Sequence, residues 1–377
     1  METKQARRQL AGVRRIVVKL GTYLLTGDQT CLDTALIEKI VEQAVALRRK
    51  GLELILVTSG AVGAGVLELG LRQRPSDIPM LQAAAAVGQT ALMHLYRSLF
   101  RERGFSVGQI LLTREDIDHR QRHLNARYTV ETLLQQGVVP IVNENDTVTV
   151  ESLKFYDNDY LAAQLANLVR ADLLIVLTDV DGLLEPREGP RKEWARVPVV
   201  KKVTPAIMEM AGGSAKEHSR GGMRSKLEAA RMVARAGGLA VIANGRRPRV
   251  LSDIVEGEDV GTLFLSPFSQ VRRRKCWIAF ARVRRGWLTV DDGARRALAE
   301  RGKSLLASGI TAVEGVFGPG DMVGLRTEDG LEFARGLVNY SAEDVGLIKG
   351  KQTSQIGEVL GGYAYDEVVH RDNLLVL

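Results

Sequence analysis

The stretch LILVTSGAVGAG, residues 54–65, joins a strand pattern to a helix pattern through a glycine-rich turn. An apolar run at 54–57 gives way to Thr58, Ser59 and Gly60, after which apolar residues return at helical spacing. Junctions of this kind often bind phosphate or other anions through free backbone N–H groups. The glycines follow the order G-x-x-G-x-G, which reverses the dinucleotide fingerprint, and no Walker-type Lys-Ser or Lys-Thr follows them. The turn therefore indicates a βαβ junction and leaves its ligand open.

The same strand–helix alternation runs through the first two thirds of the chain. Predicted strands lie at 16–20, 54–57, 107–112, 138–142, 173–177 and 239–243, and helical patterns include 36–45 and 223–236. Strands that are apolar throughout are typical of parallel sheets covered on both faces. The fold class predicted is α/β, a mainly parallel open sheet sandwiched by helices, with ligands beyond the carboxyl ends of the strands.

The pattern changes near residue 265, where short strands, glycine turns and a brief helix at 294–301 predict a small β-rich domain. A chain of 377 residues also exceeds the ~250–300 residues that usually share one core. We expect a first domain at 1–265, a basic linker at 266–285 and a β-rich domain at 286–377. The linker carries seven Lys or Arg within 272–285. A solvated linker and an RNA-binding segment both fit this charge.

Composition narrows the class of protein. The chain is 45% hydrophobic and 26% charged, as in ordinary globular proteins. Cys31 and Cys276 form no C-x-x-C pair, which predicts neither a disulfide framework nor a zinc site. The basic N-terminus lacks the apolar region of an export signal, so we expect a cytoplasmic protein. The uncharged window 78–96 predicts a buried helix rather than a membrane span, because Pro79, Gln82, Gln89 and His94 interrupt it.

Polar residues collect at the ends of the predicted strands. Lys19 stands in an otherwise apolar strand, where an ammonium is costly unless an anion meets it, although a lysine reaching solvent from an edge strand also fits. VNEND at 142–146 and YDNDY at 156–160 fit turn and N-cap chemistry as well as a ligand site. LTDVDG at 177–182 fits a metal site or a turn.

The segment SRGGMRSK at 219–226 opens a predicted helix with cations beside its first turn. Free N–H groups, the positive end of the helix dipole and these cations all favour bound phosphate. The sequence offers no nucleophile paired with a base. Cations and anion-binding turns without a base suit phosphoryl transfer to an acceptor that is already anionic, because such chemistry relies on positioning and charge neutralisation.

Eight motifs in order carry a resemblance that covers nearly the whole chain. They are VVKLGT, VTSGAVGAG, LLT before LNAR, VNEND, DND, LTDVDGL, GGMRSK and the terminal HRDNL. In this order they resemble the glutamate 5-kinases, and residues 286–351 resemble the PUA domain of that family. The resemblance implies an amino acid kinase-like fold and ATP-dependent phosphorylation of the γ-carboxylate of L-glutamate to L-glutamyl 5-phosphate, the first step of proline biosynthesis.

The resemblance also implies roles for individual residues. It makes Lys19 and Lys226 the cations that neutralise the transferred phosphoryl group and Asp159 the carboxylate that orients Lys19. The positions implied for glutamate are Ser59, Gly60, Asp146 and Asn158. The positions implied for ATP are Lys19, Thr178, Asp179, Arg220, Gly221, Gly222, Met223, Arg224, Ser225 and Lys226. Mg²⁺ is expected to accompany ATP, and no protein metal ligand is predicted. The glycines at 60, 63 and 65 are expected to let the backbone approach glutamate.

Further expectations concern partners and alternatives. The resemblance implies proline as feedback inhibitor, a homo-oligomer (dimer or tetramer), contact with a glutamyl phosphate reductase, and no membrane. Tyr23, Tyr156 and Arg220 depart from the family pattern, which bears on activity and nucleotide preference. One alternative is a kinase of the same fold for aspartate or N-acetylglutamate. The other is an RNA-binding protein that acts through its C-terminal domain.

Overall fold

The computed structural model describes residues 2–26, 32–149, 158–186, 194–211, 222–266, 284–362 and 365–377. The chain divides into two compact units, one of residues 1–118 and 125–269 and the other of residues 119–124 and 270–377. Each unit has its own main sheet and its own hydrophobic core. The linker predicted at 266–285 lies mostly outside the described residues, so its boundaries stay a prediction.

The strands are numbered in chain order. They are β1 Arg15–Leu20, β2 Glu53–Val57, β3 Val107–Leu112, β4 Val139–Glu144, β5 Leu173–Thr178, β6 Leu184–Pro186, β7 Trp194–Arg196, β8 Val199–Val200, β9 Leu239–Asn244, β10 Thr262–Phe264, β11 Gly286–Val290, β12 Ile310–Gly315, β13 Met322–Arg326, β14 Glu332–Leu337 and β15 Leu374–Val376. The six strands predicted in the first domain are confirmed as β1 to β5 and β9, with ends within two residues of the prediction.

The described helices of the larger unit are Glu2–Arg7, Thr22–Thr26, Thr34–Arg49, Ala61–Glu68, Ile78–Glu102, Arg114–Asp118, Arg120–Gln135, Asp159–Leu168, Pro205–Met210, Met223–Arg235 and Val250–Val255. The division into units assigns the first five residues of helix Arg120–Gln135 to the smaller unit. The helices of the smaller unit are Asp292–Arg301, Ala342–Ile348 and Thr353–Leu360. Short 3₁₀ turns occupy Arg8–Gly12, Ala307–Gly309 and Arg371–Asn373. No helix in the described ranges is long and apolar enough to span a bilayer.

The main sheet of the larger unit has, among the described residues, the strand order β3-β4-β2-β1-β5-β9-β10-β8. The pairs from β3 through to β9 are parallel, and β10 runs antiparallel to β9. The predicted α/β class with a mainly parallel sheet is thus confirmed. β8 and β10 were not predicted, because strands of two or three residues are too short to show a periodic pattern and form only by pairing with a neighbouring strand.

Two apolar cores lie on the two faces of this sheet, because successive residues of a strand point to opposite faces. On β1, Ile16 and Val18 join one core with helix Thr34–Arg49. Val17 joins the other core, which includes residues of helices Asp159–Leu168 and Met223–Arg235. β1 is central, so all of it beyond Arg15 is buried. A polar side chain on β1 must therefore find its partner inside the protein.

The helices Ala61–Glu68 and Ile78–Glu102 cross at very short range. A Cβ added at Gly65 would lie 1.7 Å from the carbonyl oxygen of Ala84, and one added at Gly88 would lie 1.9 Å from that of Ala61. Both contacts are to backbone atoms, which have no side-chain freedom to move aside. Gly65 is therefore required for helix packing, and the expectation that it opens the backbone to glutamate stays a prediction.

The smaller unit is built on a sheet with the order β12-β11-β13-β14-β15 across its described residues. β11 pairs with β13 in parallel and with β12 antiparallel, and the remaining pairs are antiparallel. The brief helix predicted at 294–301 is confirmed as Asp292–Arg301, capped by the side chain of Asp291. The β-rich C-terminal domain is thus confirmed.

The helix crossing predicts that Gly65→Ala destabilises the chain. The added methyl group must push two backbones apart, which we expect to cost about 3 kcal/mol of unfolding free energy and to lower the melting temperature. Gly346→Ala is the matched control, since Gly346 is an exposed helical residue and its added Cβ meets no described atom within 4 Å. That control should be neutral or stabilising. Circular dichroism melting measures both variants, and equal melting temperatures would contradict the packing role.

Candidate functional site

Lys19 lies near the end of the central strand β1 and is fully buried. The alternation of the strand places it on the same face as Val17, the face that carries helices Asp159–Leu168 and Met223–Arg235. β2 and β5 flank β1 on either side, which rules out the alternative of an edge-strand lysine that reaches solvent. The ammonium must therefore be neutralised within the protein.

Asp159 supplies that charge and bridges two lysines. Its Oδ1 lies 2.7 Å from the Nζ of Lys19, and its Oδ2 lies 3.2 Å from the Nζ of Lys226. Asp159 is fully buried, and Lys226 is 6% exposed. The hydroxyl of Ser225 lies 2.7 Å from the same Oδ2. The first residue of one helix thus joins the first turn of another to the central strand.

Burial of Asp159 by itself would raise the pKa of the carboxyl. The adjacent ammonium groups of Lys19 and Lys226 outweigh burial, with a hydrogen bond from Ser225, so the pKa of Asp159 is lowered. The position of Asp159 at a helix N-terminus favours the charged form as well. The carboxylate is therefore ionised at neutral pH, and it is held by two cations rather than available as a base.

Asn158 precedes Asp159 and organises a second polar group. Its Nδ2 lies 2.6 Å from the carbonyl oxygen of Thr58, 3.2 Å from the Oγ of Ser59 and 2.8 Å from the Oδ1 of Asn143. Three segments thus converge on one amide, namely the end of β2, the end of β4 and the start of helix Asp159–Leu168. The predicted meeting of these strand ends is observed for Ser59 and Asn158.

The interpretation of these segments as turns and caps is partly wrong. Asn158 occupies the N-cap position but makes no side-chain capping bond, because its amide is directed to the strand ends instead. Asn145 does have a turn role, since its carbonyl accepts from the amide of Val148. Asp146 lies in the same turn and is partly exposed.

Sequence reasoning missed two residues that extend this group. Asn143 Nδ2 donates to the Oε1 of Gln89 at 2.9 Å, which links the end of β4 to helix Ile78–Glu102. Tyr96 on the same helix is buried, and its hydroxyl lies 2.9 Å from the Oγ1 of Thr58. Gln89 was noticeable in the sequence as a polar residue in an uncharged helical window, but nothing in the sequence indicated that Asn143 is its partner.

Gly60 begins helix Ala61–Glu68 with a positive φ of +97°. A Cβ there would also lie 2.9 Å from the Cδ2 of Leu32. The backbone conformation therefore favours glycine, and a larger residue would also require the Leu32 side chain to shift. Ser59, the residue before Gly60, is in contact with Asn158.

Apart from Lys19, the described residues implied for ATP lie at the end of β5 and at the start of helix Met223–Arg235. Thr178 is buried and its hydroxyl lies 3.1 Å from the Oδ1 of the exposed Asp179. Gly222 is the N-cap and leaves the helix start without a side-chain cap, and a Cβ there would meet no atom of the described residues within 4 Å. Met223 in the first turn is partly buried.

The remaining predicted residues divide by location. Arg224 is 76% exposed and lies 3.6 Å from Glu228 of its own helix, so it does not join the Asp159 group. Tyr23 is 39% exposed. Tyr156, Arg220 and Gly221 lie outside the described residues. Within the described ranges, no three His, Cys, Asp or Glu side chains form a group that could hold a metal ion.

The buried charge group predicts an acid-dependent stability difference. Asp159→Asn leaves buried cations uncompensated and should lower the free energy of unfolding at neutral pH by about 3–5 kcal/mol. Since the folded-state pKa of Asp159 is lowered, its contribution is present above the unfolded pKa of about 4 and is lost as pH falls through the folded value. The difference in unfolding free energy between the wild type and Asp159→Asn should therefore decrease as pH falls below about 4.

Urea unfolding from pH 7 to pH 3 measures this difference. Asp118→Asn serves as the control, because Asp118 is 61% exposed in a 3.6 Å pair with Arg114. Such surface pairs contribute about 0–1 kcal/mol, so this variant should follow the wild type throughout. A difference for Asp159→Asn that stays constant down to pH 3 would contradict the lowered pKa.

Comparison with known proteins identifies both units. The amino acid kinase family matches residues 14–244, and the PUA domain matches residues 286–360. Glutamate 5-kinase of Caldanaerobacter subterraneus is 48% identical over 96% of this chain and 98% of its own, and that of Moorella thermoacetica is 45% identical over the full length of both. Glutamate 5-kinase of Geobacter sulfurreducens is 46% identical over 98% of this chain and 99% of its own. At this identity and coverage, the chain belongs to the glutamate 5-kinase group of the amino acid kinase family.

Proposed function

We propose that this chain transfers the γ-phosphoryl group of ATP to the γ-carboxylate of L-glutamate, giving L-glutamyl 5-phosphate and ADP, as the first step of proline biosynthesis. The observation that carries the proposal is the buried carboxylate of Asp159 between Lys19 and Lys226. Two cations fixed near the strand ends suit a reaction in which negatively charged groups must be brought together and their charge redistributed. Relatives called glutamate 5-kinase at 45–48% identity support the assignment.

In the proposed reaction, an oxygen of the γ-carboxylate attacks the γ-phosphorus of ATP, and the bond from that phosphorus to the β–γ bridging oxygen breaks. A free γ-carboxyl has a pKa of about 4.3, so it is ionised at neutral pH and needs no general base. Lys19 and Lys226 neutralise the phosphoryl oxygens as charge shifts towards ADP. Asp159 acts as a positioning residue, since its two oxygens each hold one lysine.

The proposed acceptor site lies on the Asn158 group. Ser59, Gly60, Asp146 and Asn158 are proposed to bind glutamate. Support comes from the contact of Asn158 with Ser59 and from the positive φ of Gly60, which positions the turn. Because Asn158 and Asp159 are consecutive residues, the acceptor group and the lysine bridge are joined by a single peptide bond.

The proposed nucleotide site uses Thr178, Asp179 and residues 220–226. The uncapped N-terminus of helix Met223–Arg235 and the open space at Gly222 support a phosphate position there. Arg220 and Gly221 are part of the proposal on the family resemblance alone. Mg²⁺ would be held chiefly by the phosphate oxygens of ATP and would add positive charge to the phosphoryl group.

The family resemblance also supports the remaining proposals. They are a cytoplasmic location, a homo-oligomer, proline as feedback inhibitor and transfer of the acyl phosphate to a glutamyl phosphate reductase. The RNA-binding alternative depends on the basic segment 272–285, of which only Arg284 and Arg285 lie within the described residues. The kinase is the function that described contacts support.

The proposal predicts glutamate-dependent ADP release by the purified chain with Mg-ATP. A panel with aspartate and N-acetylglutamate separates the acceptors, and glutamate should give the highest kcat/KM. Lys226→Met, which keeps the length and removes the charge, should lower kcat about 10²- to 10³-fold with smaller changes in both KM values.

Arg235→Met is the control, because Arg235 is an exposed cation in the last turn of the same helix. It should retain wild-type rates. ADP release that is independent of glutamate at saturating concentrations, or a preference for another acceptor, would overturn the proposed substrate.

A further inference from the structure

Helix Ile78–Glu102 directs one glutamine at the end of β4 and another at the segment that follows it. Gln89 accepts from Asn143 at 2.9 Å, and Gln82, seven residues earlier, reaches the carbonyl oxygen of Thr149 at 3.4 Å. Residues seven apart lie on one face of a helix. This face therefore borders the segment that contains Asp146, one of the proposed glutamate positions.

The orientation of the amides in this group is determined by backbone partners. The Oδ1 of Asn143 accepts from the backbone N–H of Glu144 at 2.9 Å, and a backbone N–H can only donate. The Nδ2 of Asn143 must then be the atom facing Gln89, so Gln89 presents its Oε1 as acceptor. The carbonyl of Thr58 fixes the amide of Asn158 in the same way, since a carbonyl can only accept.

A consequence of this ordering is a hydrogen-bond relay with fixed donors, in which Asn158 donates to Ser59 and to Asn143, and Asn143 donates to Gln89. Gln89 holds Asn143, Asn143 holds Asn158 through the 2.8 Å contact, and Asn158 holds Ser59. The Oδ1 of Asn158 accepts no hydrogen bond from the described residues and so remains available to a ligand. The direction in which this Oδ1 points is determined by the hydrogen bonds that the Nδ2 of the same side chain makes.

Gln89 lowers the stability of the folded chain in a way that its packing does not offset. Its Nε2 is buried and has no hydrogen-bond partner in the described part of the chain. An unpaired buried donor costs about 1–3 kcal/mol, which an apolar residue of the same length would avoid. The contact that offsets this cost is the one between Oε1 and Asn143, since it is the hydrogen bond that Gln89 makes through its side chain.

We propose that Gln89 is a positioning residue of the acceptor site, which orients Asn158 and Ser59 towards glutamate through Asn143. The inference rests on the proposed function and deepens it. Gln89 contacts neither the lysine bridge nor the proposed nucleotide residues in the described structure. Its effect should therefore fall on the acceptor and not on ATP.

The test is Gln89→Met, which keeps the length of the side chain and removes the acceptor oxygen. KM for glutamate should rise about fivefold, because the loss of one neutral hydrogen bond costs about 1 kcal/mol. KM for ATP and kcat should change less than twofold. The melting temperature should stay close to that of the wild type, because the variant also removes the unpaired buried donor. A purely structural role would lower the melting temperature without favouring one substrate.

Gln82→Met is the matched control from the same helix face. Its contact is a 3.4 Å bond to a backbone carbonyl outside the relay, so both KM values should match the wild type. Gln89→Asn provides a second variant if Gln89→Met does not fold. It keeps the amide but withdraws it by one methylene, and it too should raise KM for glutamate selectively.

The outcomes separate this inference from the proposed function. A wild-type chain without glutamate-dependent ADP release overturns both. Wild-type turnover of glutamate with an unchanged glutamate KM in the folded Gln89 variant overturns only the positioning role. Equal increases in the glutamate and ATP KM values also overturn it, since they indicate general distortion of the site.

Discussion

The buried bridge of Lys19, Asp159 and Lys226 is the interaction on which the candidate site depends. A central strand accepts a lysine only if a carboxylate reaches it, and the carboxylate must come from a helix on the same face of the sheet. The first residue of helix Asp159–Leu168 meets this condition, and the first turn of helix Met223–Arg235 adds the second cation. The topology of the sheet, with β1 between β2 and β5, thus determines where the charges lie.

A buried triad of this kind stabilises the fold less than its geometry suggests. The desolvation of three charged groups offsets most of their attraction, and apolar residues of similar size often serve stability equally well. The triad also carries one net positive charge in a low-dielectric environment. That excess favours an anion at the strand ends, so the arrangement is better suited to binding phosphate than to holding the protein together.

Several of these features could be predicted from local sequence, and others could not. The apolar strands β1 to β5 and β9 were predictable, because burial on both faces leaves a continuous pattern. Lys19 was recognisable as an exception within that pattern. The residue pattern alone could not separate a cap from a ligand site at Asn158, because its partners lie up to 100 residues away, and Gln89 was missed because Asn143 is 54 residues distant. Pairings across such distances exist only once the helices pack, as does the use of Gly65 at a helix crossing.

The crossing at Gly65 and Gly88 has a consequence for motion. Backbone meets backbone there, with no side chains that could change rotamer to let one helix slide over the other. The two helices therefore turn as one rigid body. One of them begins directly after Ser59 and Gly60, and the other carries Gln89, so any tilt of the pair moves both ends of the proposed acceptor site together. Adjustment to acceptors of different length must then come from segments outside this helix pair and not from within it.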